Sequence, residues 1–528
     1  MRGSLIAIDS EFDLPFDIKR IFYIQELDGI DRGFHAHKKC EQILVALQGS
    51  FDLSLDDGKD ITTFTLNENN KGVHIPLLRW IKMSAFSKDS IIMVICSYKY
   101  DETEYIRNYG DFLREVNKED KTVSTFSLYE QTRNLKREYM RKVEDIIDNT
   151  SFAMGKDVED FESKFANFNG AKNCIAVSSG CSALKIAIKS LNSNNPKVLT
   201  QANTYIAVPL VCEDLHYPYD IIDVDDNLLL DIDKLEDYLL RNASSGFEFI
   251  IVVVHLYGNC VNWDKLLKLK DTYGVKIVED SAQAHGSTYK GKMLGTFGDV
   301  GCFSFYPSKN LGALGEGGAI ITNDDVYAEF SRHYRNYGSI EKYRWKVKGS
   351  NERMHNIQGG LLSIKLGSLN GWNESRRGLA RLYMEKLKEH IGLRIVRPIE
   401  NCVSNIHLFV IIVEKRDELM RYLTDEDIKC AIHYPAPFYE SEAYKENKFG
   451  DCPNMDLYKY KVLGDCGMML NISNFMLFPN LLSNTSNNLL YNLSSICKFD
   501  RYKGCIITNI FCLSVLIKLL NLLTHLVM

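Results

Sequence analysis

No two cysteines in this chain are spaced Cys-x-x-Cys, although there are 14 of them, and no Cys/His spacing fits zinc. Scattered thiols in a long chain read as reduced and buried, which excludes a disulfide-framed secreted scaffold and points to the cytoplasm. Basic clusters are missing too. With a formal net charge of −6, nucleic acid is not an expected partner. Met1-Arg2-Gly3-Ser4 lacks the apolar h-region of a signal peptide, and no internal repeat is visible. What is there is an ordinary globular composition, 45% hydrophobic and 25% charged over 528 residues. Length alone suggests about three domains.

The first hundred residues read as β-structure. Residues 5–8, 21–24, 43–47 and 91–95 are short apolar runs, separated by turn signals such as Leu27-Asp28-Gly29, Gln48-Gly49-Ser50 and Asp56-Asp57-Gly58. Strands at this spacing predict a sandwich or barrel. Among them lies Arg32-Gly33-Phe34-His35-Ala36-His37, with Glu41 soon after. Histidines at i and i+2 of a strand share a face, so His35 and His37 can both enter the barrel. Two chemistries suit the pair. Together with Glu41 it could hold a first-row metal; alone it could move protons beside a ketone.

Leu14-Pro15-Phe16-Asp17-Ile18-Lys19-Arg20, the Arg-Gly-x-His-Ala-His core and Tyr100-Asp101-Glu102-Thr103-Glu104-Tyr105-Ile106-Arg107 resemble the dTDP-4-keto-6-deoxyhexose 3,4-ketoisomerases. These are cupins that use no metal. The resemblance covers residues 1–115 and implies an all-β jelly-roll barrel. It makes His35 and His37 the acid and base, and puts Arg32 and Tyr23 at the sugar nucleotide. Three departures stand out. Met1 falls inside the family's first conserved segment, Phe22 replaces a common tyrosine, and Trp80-Ile81 stands where a tryptophan-histidine pair is expected.

Residues 116–123 are charged and polar and read as a linker. Beyond them the pattern becomes α/β. Residues 133–147 have helical spacing, and the strand-like run 174–177 leads into Ser178-Ser179-Gly180-Cys181-Ser182 and a helix. A strand, a small-residue turn and a helix start together make an anion site. The β-branched run at 250–255 predicts a strand buried on both faces of a parallel sheet. A doubly wound sheet places its ligands at the strands' carboxyl ends, where Glu279-Asp280-Ser281-Ala282-Gln283 falls. The run 301–308 then delivers Lys309 to a glycine-rich turn. Pyridoxal phosphate chemistry needs such a lysine, together with a carboxylate for the pyridine nitrogen.

Glu-Asp-Ser-Ala-Gln-Ala-His-Gly and the segment 298–312 resemble the DegT/StrS nucleotide-sugar aminotransferases, over roughly residues 126–444. The resemblance implies an α/β fold of type I with pyridoxal 5'-phosphate carried on Lys309 and Asp280 on the ring nitrogen. It places Gly180, Cys181 (where threonine is usual), Gln283 and Ser304 in the cofactor site, and Tyr205 against the ring. Asn351 is expected to reach a neighbouring subunit's cofactor, which implies a homodimer. Tyr337 and Lys342 resemble the variants that aminate carbon 3 of a dTDP-keto sugar, and His433 belongs to the small-domain signature. Gly359-Gly360 replaces an Ala-Ala pair, and each helical glycine costs about 1 kcal/mol relative to alanine.

Together these readings predict a bifunctional enzyme. Residues 1–115 would isomerise dTDP-4-keto-6-deoxyglucose, and residues 124–497 would aminate carbon 3 with glutamate as donor. The alternatives are an active aminotransferase with a degenerate, sugar-nucleotide-binding cupin, or a metal-binding cupin fusion. Residues 498–528 form an apolar tail whose Ser514, Lys518, Asn521 and His525 make a polar stripe at helical spacing. Lys518 in mid-run disfavours a membrane span.

Overall fold

Strand β1 (Arg20–Ile24) shows the alternation that builds the first unit: Arg20, Phe22 and Ile24 turn inward while Ile21 and Tyr23 are exposed. The computed structural model describes residues 14–464 except 26–29, 59, 70, 117–127, 388–391, 426–427 and 429. The strand-like run at 5–8, the turn at 27–29, all of the linker but Val116, and the tail with its polar stripe lie outside these residues. The chain divides into two compact units, Met1–Lys121 and Thr122–Met528.

In the first unit β2 (Arg32–His37), β3 (Gln42–Gln48), β4 (Phe51–Asp56) and β5 (Ile61–Leu66) follow β1. Then come β6 (Gly72–Ile75), β7 (Trp80–Ser84), β8 (Ile91–Cys96), β9 (Tyr105–Ile106) and the helix α1 (Tyr109–Val116). They form two antiparallel sheets, ordered β1-β8-β3-β6 and β5-β4-β7-β2-β9. Leu44, Ala46, Leu53, Leu55, Ile81, Met83, Ile92 and Val94 fill the space between them. This is the jelly-roll barrel of a cupin. Ile81, where a histidine was expected, is a fully buried member of that core.

The second unit opens with α2 (Tyr129–Asp148) and α3 (Lys156–Asn169), then β10 (Asn173–Val177), α4 (Gly180–Ser190), β11 (Pro196–Gln201) and α5 (Ala207–Leu215). Next are β12 (Tyr219–Ile222), α6 (Ile232–Arg241), β13 (Glu248–Val254), α7 (Trp263–Tyr273) and β14 (Lys276–Asp280). After the short ribbon β15 (Thr288–Tyr289) and β16 (Lys292–Met293) come β17 (Val300–Ser304), β18 (Gly318–Thr322) and α8 (Asp325–Tyr334). The main sheet has seven strands, ordered β10-β18-β17-β14-β13-β11-β12. β12, β11, β13, β14 and β17 are mutually parallel, but β18 runs against both of its neighbours. The sheet is therefore mixed, where sequence pattern suggested a wholly parallel one. The reversal goes with the β17–β18 connection, residues 305–317, which contains no crossover helix and lets β18 turn back beside β17.

A two-stranded hairpin, β19 (Ser339–Glu341) and β20 (Arg344–Trp345), leads to the helices α9 (Asn356–Leu366) and α10 (Leu369–Leu387). The small domain adds β21 (Leu393–Ile395), β22 (Cys402–Val403), β23 (Val410–Val413), α11 (Arg416–Asp425), α12 (Pro453–Tyr458) and β24 (Val462–Gly464). Strands β21, β23 and β24 form its sheet.

Candidate active sites

In the second unit the parallel strands end at one edge of the sheet, and the chemistry gathers there. Asp280 is the last residue of β14, buried, with its Oδ1 accepting the Ala282 N–H at 3.1 Å. Burial pushes its carboxyl up from the usual range, and the charge of Lys309 works in the opposite direction. Lys309 sits in the β17–β18 connection, pinned by its own N–H to Tyr306 O at 2.8 Å. Surrounding protein lowers its ammonium pKa, with Asp280 opposing, which favours the neutral amine a nucleophilic lysine needs.

Gln283 bridges the cleft. Its Oε1 accepts the Tyr257 N–H at 2.6 Å and its Nε2 donates to Tyr434 Oη at 3.2 Å. The Tyr434 ring lies 6.1 Å from that of Tyr205, which follows β11 and is 59% exposed. His433, beside Tyr434, has an unpartnered buried Nδ1. Burial and then Lys309 lower its pKa. Ser179 caps α4 by accepting the Ser182 N–H at 3.1 Å, which leaves the helix start at Gly180 and Cys181. A Cβ on Gly180 would stand 2.7 Å from Ser304 Cβ, so only glycine allows the α4 turn this close to β17. Asn351, Tyr337 and Lys342 belong to an exposed segment around the hairpin. Asn351 accepts from Arg353 Nε at 2.9 Å, the Arg353 guanidinium lies over Tyr337, and the Lys342 ammonium lies over Tyr343.

A lysine and a buried carboxylate at the strand ends of such a sheet, with a helix N-terminus and an exposed aromatic beside them, are the parts of a pyridoxal-phosphate-dependent enzyme. The chain belongs to the DegT/DnrJ/EryC1/StrS aminotransferase family, whose model matches residues 133–463. A second family model, described as WxcM-like, C-terminal, matches residues 1–117. The chain is 36% identical over 324 residues to a Streptomyces venezuelae dTDP-3-amino-3,4,6-trideoxy-alpha-D-glucose transaminase, covering 60% of this chain and 84% of that one. It is 37% identical over 312 residues to the dTDP-3-amino-3,6-dideoxy-alpha-D-galactopyranose transaminase of Aneurinibacillus thermoaerophilus, covering 59% and 84%. The crystal structure of S. venezuelae DesV superposes with a TM-score of 0.62 at 33% identity, covering 65% of this chain and 93% of that one. Enzymes of this family depend on pyridoxal phosphate, and the residues present fit it. The buried Asp280 has no ion-pair partner among the described residues and could take a protonated ring nitrogen, Tyr205 offers an open face, and α4 offers amides to a phosphate.

In the cupin unit the structure brings His35 and His37 together: their Nε2 atoms are 3.1 Å apart. His37 is buried, and its Nδ1 meets Glu104 Oε1 at 2.5 Å. His35 Nδ1 donates to Gly33 O at 2.9 Å. Burial and then the facing His35 push His37 down to about 4, with Glu104 pulling the other way. The Tyr105 ring covers both imidazoles, and its hydroxyl accepts from Arg20 at 3.4 Å. Glu41, the third member of the alternative metal set, is bonded to His74 at 2.8 Å. Ligand-type atoms of His37, Cys40 and Glu104 lie within 4.8 Å of one another, although the first and last are bonded directly.

Two expected substrate residues do not join the pair. Tyr23 lies on the outward face of β1, 59% exposed, because the inward positions go to Arg20 and Phe22. Arg32 is exposed at the start of β2, beyond the register shift between Gly33 and His35. Arg20, Glu104 and Tyr105 were missed by sequence reasoning, as were Asn310 and His407 beneath Lys309. His407 Nδ1 bonds Asn310 Oδ1 at 2.8 Å. Asn310 follows Lys309 directly, which was the one available signal.

Proposed function

We propose that the chain converts a dTDP-4-keto-6-deoxy sugar into a 3-amino-3,6-dideoxy sugar nucleotide in two steps, as a cytoplasmic homodimer. The cupin unit moves the carbonyl from carbon 4 to carbon 3, and the second unit aminates carbon 3 with glutamate as donor. The observation that carries this is the pairing of His35 with His37 inside the barrel, in a chain whose other unit has Lys309 within electrostatic reach of the buried Asp280. Pyridoxal phosphate, when bound, supplies an electron sink for moving an amino group between carbons. Lys309 would carry it and move the proton at the donor carbon, while Asp280 would answer the charge of the ring nitrogen. Amides of Gly180 and Cys181 would take the phosphate, Tyr205 would stack on the ring, and Gln283 and Ser304 would help to hold it. Asn351 serves the partner's cofactor, and Tyr337, Lys342 and His433 border the sugar.

The two chemistries should separate by mutation. His35→Ala with His37→Ala should abolish conversion of the 4-keto sugar and leave amination of supplied 3-keto sugar near its original rate. Lys309→Ala should do the reverse and lose the pyridoxyl label that borohydride fixes in the wild type. Mixing the two variants should restore the pathway. A wild-type chain that never converts the 4-keto sugar would leave only the aminotransferase half standing.

A further inference from the structure

The contacts around the histidine pair determine where its protons sit. Gly33 O can only accept, so His35 carries a proton on Nδ1, and in the neutral imidazole its Nε2 is then a lone pair. The 3.1 Å contact between the two Nε2 atoms is then a hydrogen bond only if His37 Nε2 carries the proton. With its Nε2 committed as donor, His37 meets Glu104 at Nδ1 through one further proton shared between imidazole and carboxylate. Glu104 is itself held rigidly. It is buried, its Oε2 accepts the Lys39 N–H at 3.3 Å, and its main-chain O accepts the Lys38 N–H at 3.0 Å. The adjoining β9 is paired to β2 with His37 opposite Tyr105.

We propose that Glu104 is the positioning residue of the isomerase reaction, fixing His37 as the Nε2–H donor to His35 so that the three side chains hold one transferable proton in line. This rests on the isomerase reading above. The reaction moves two protons and needs no oxidant. In the first half carbon 3 loses its hydrogen as a proton, the C–H electron pair becomes the C3=C4 double bond, and O4 gains a proton. In the second half O3 gives up its proton as the carbonyl forms at carbon 3, and carbon 4 is protonated. A pair that already holds one proton can give it to an oxygen while accepting another from carbon. Glu104 balances the imidazolium that forms in between.

Glu104→Gln tests this in the full chain, because the amide can keep a hydrogen bond to His37 Nδ1 but neither the charge nor the proton. The expected result is a fall of about 100-fold in kcat for isomerisation, with KM for the 4-keto sugar and amination of supplied 3-keto sugar unchanged. In the wild type, 15N spectra of labelled histidines should show His37 protonated at Nε2 and His35 unprotonated there. A Gln variant with wild-type kcat, while His37→Asn is inactive, would overturn the relay and leave the isomerase reading intact. A wild type that leaves the 4-keto sugar unconverted overturns both. Should the Gln variant fail to fold, a wild-type His37 found without a proton on Nε2 overturns the proposal by itself.

Discussion

Glu279 shows what a buried carboxylate demands. Its Oε1 accepts the N–H groups of Phe297 and Gly298 at 2.6 Å, and its Oε2 accepts Gly295 N–H at 2.6 Å and His255 Nε2–H at 2.9 Å. Every lone-pair direction is used, so Glu279→Gln would set an amide N–H against existing donors and cost about 3–5 kcal/mol. A lowered urea midpoint of the second unit would record it. His285 makes the opposite case: it is buried against Phe303 and Phe305 with no side-chain partner for either ring nitrogen, and burial holds its pKa down to about 3. The unfolded imidazole titrates near the usual value of about 6.5. Between those values the unfolded chain binds a proton that the folded one refuses, so stability falls as pH falls, by up to about 1.4 kcal/mol per pH unit. His285→Leu should remove one proton from the slope of unfolding free energy against pH. At this scale Lys309 and Asp280 were legible because each sits in a diagnostic local string. Glu104 lay in a string that carried the family resemblance, but no role was legible in it, since its burial and its bond to His37 come from pairing with β2.

Among elements, α9 corrects an expectation. Its two glycines looked like a plain loss of helix propensity, but α3 passes close beside them. A Cβ at Gly359 would stand 2.8 Å from Val158 Cα and 2.9 Å from Asp157 O, which are backbone atoms that cannot yield. At Gly360 the nearest atoms are side-chain methylenes of Lys142 at 2.9 Å, which can swing away. Gly359→Ala should therefore destabilise by about 1–3 kcal/mol despite the better helix former. Gly360→Ala should be neutral or stabilise by up to about 1 kcal/mol. Urea denaturation of the two variants would separate them. Strands followed the same logic of packing over composition. β1, β3 and β8 announced themselves as apolar runs. β5 and β6 did not, because Ile61-Thr62-Thr63-Phe64-Thr65-Leu66 and Gly72-Val73-His74-Ile75 have one exposed face and carry little hydrophobic signal.

For the whole molecule, the division into a β-rich and an α/β unit was readable because the pattern changes at a charged stretch. The reversal of β18 was not, since strand direction depends on pairing rather than on residue type. If the two units hold the separate sites proposed above, their sensitivities should be separate too. Exhaustive chelation should leave isomerisation unchanged, and activity lost and then restored by one first-row metal would recast His37, Cys40 and Glu104 as ligands. The reversed β18 also has a consequence for the order of assembly. The turn that carries Lys309 is closed by neighbours in the chain: Phe305 N–H bonds Gly317 O and Ala313 N–H bonds Phe305 O. Local closures form sooner than distant ones, so on refolding this turn should gain protection before the small-domain strands β21, β23 and β24. Pulse-labelled hydrogen exchange would reveal the sequence of events, and earlier protection of β23 would refute it. If the order holds, the turn that carries Lys309 is set before Tyr434 and Gln283 meet, so the lysine's loop takes its shape without help from the small domain.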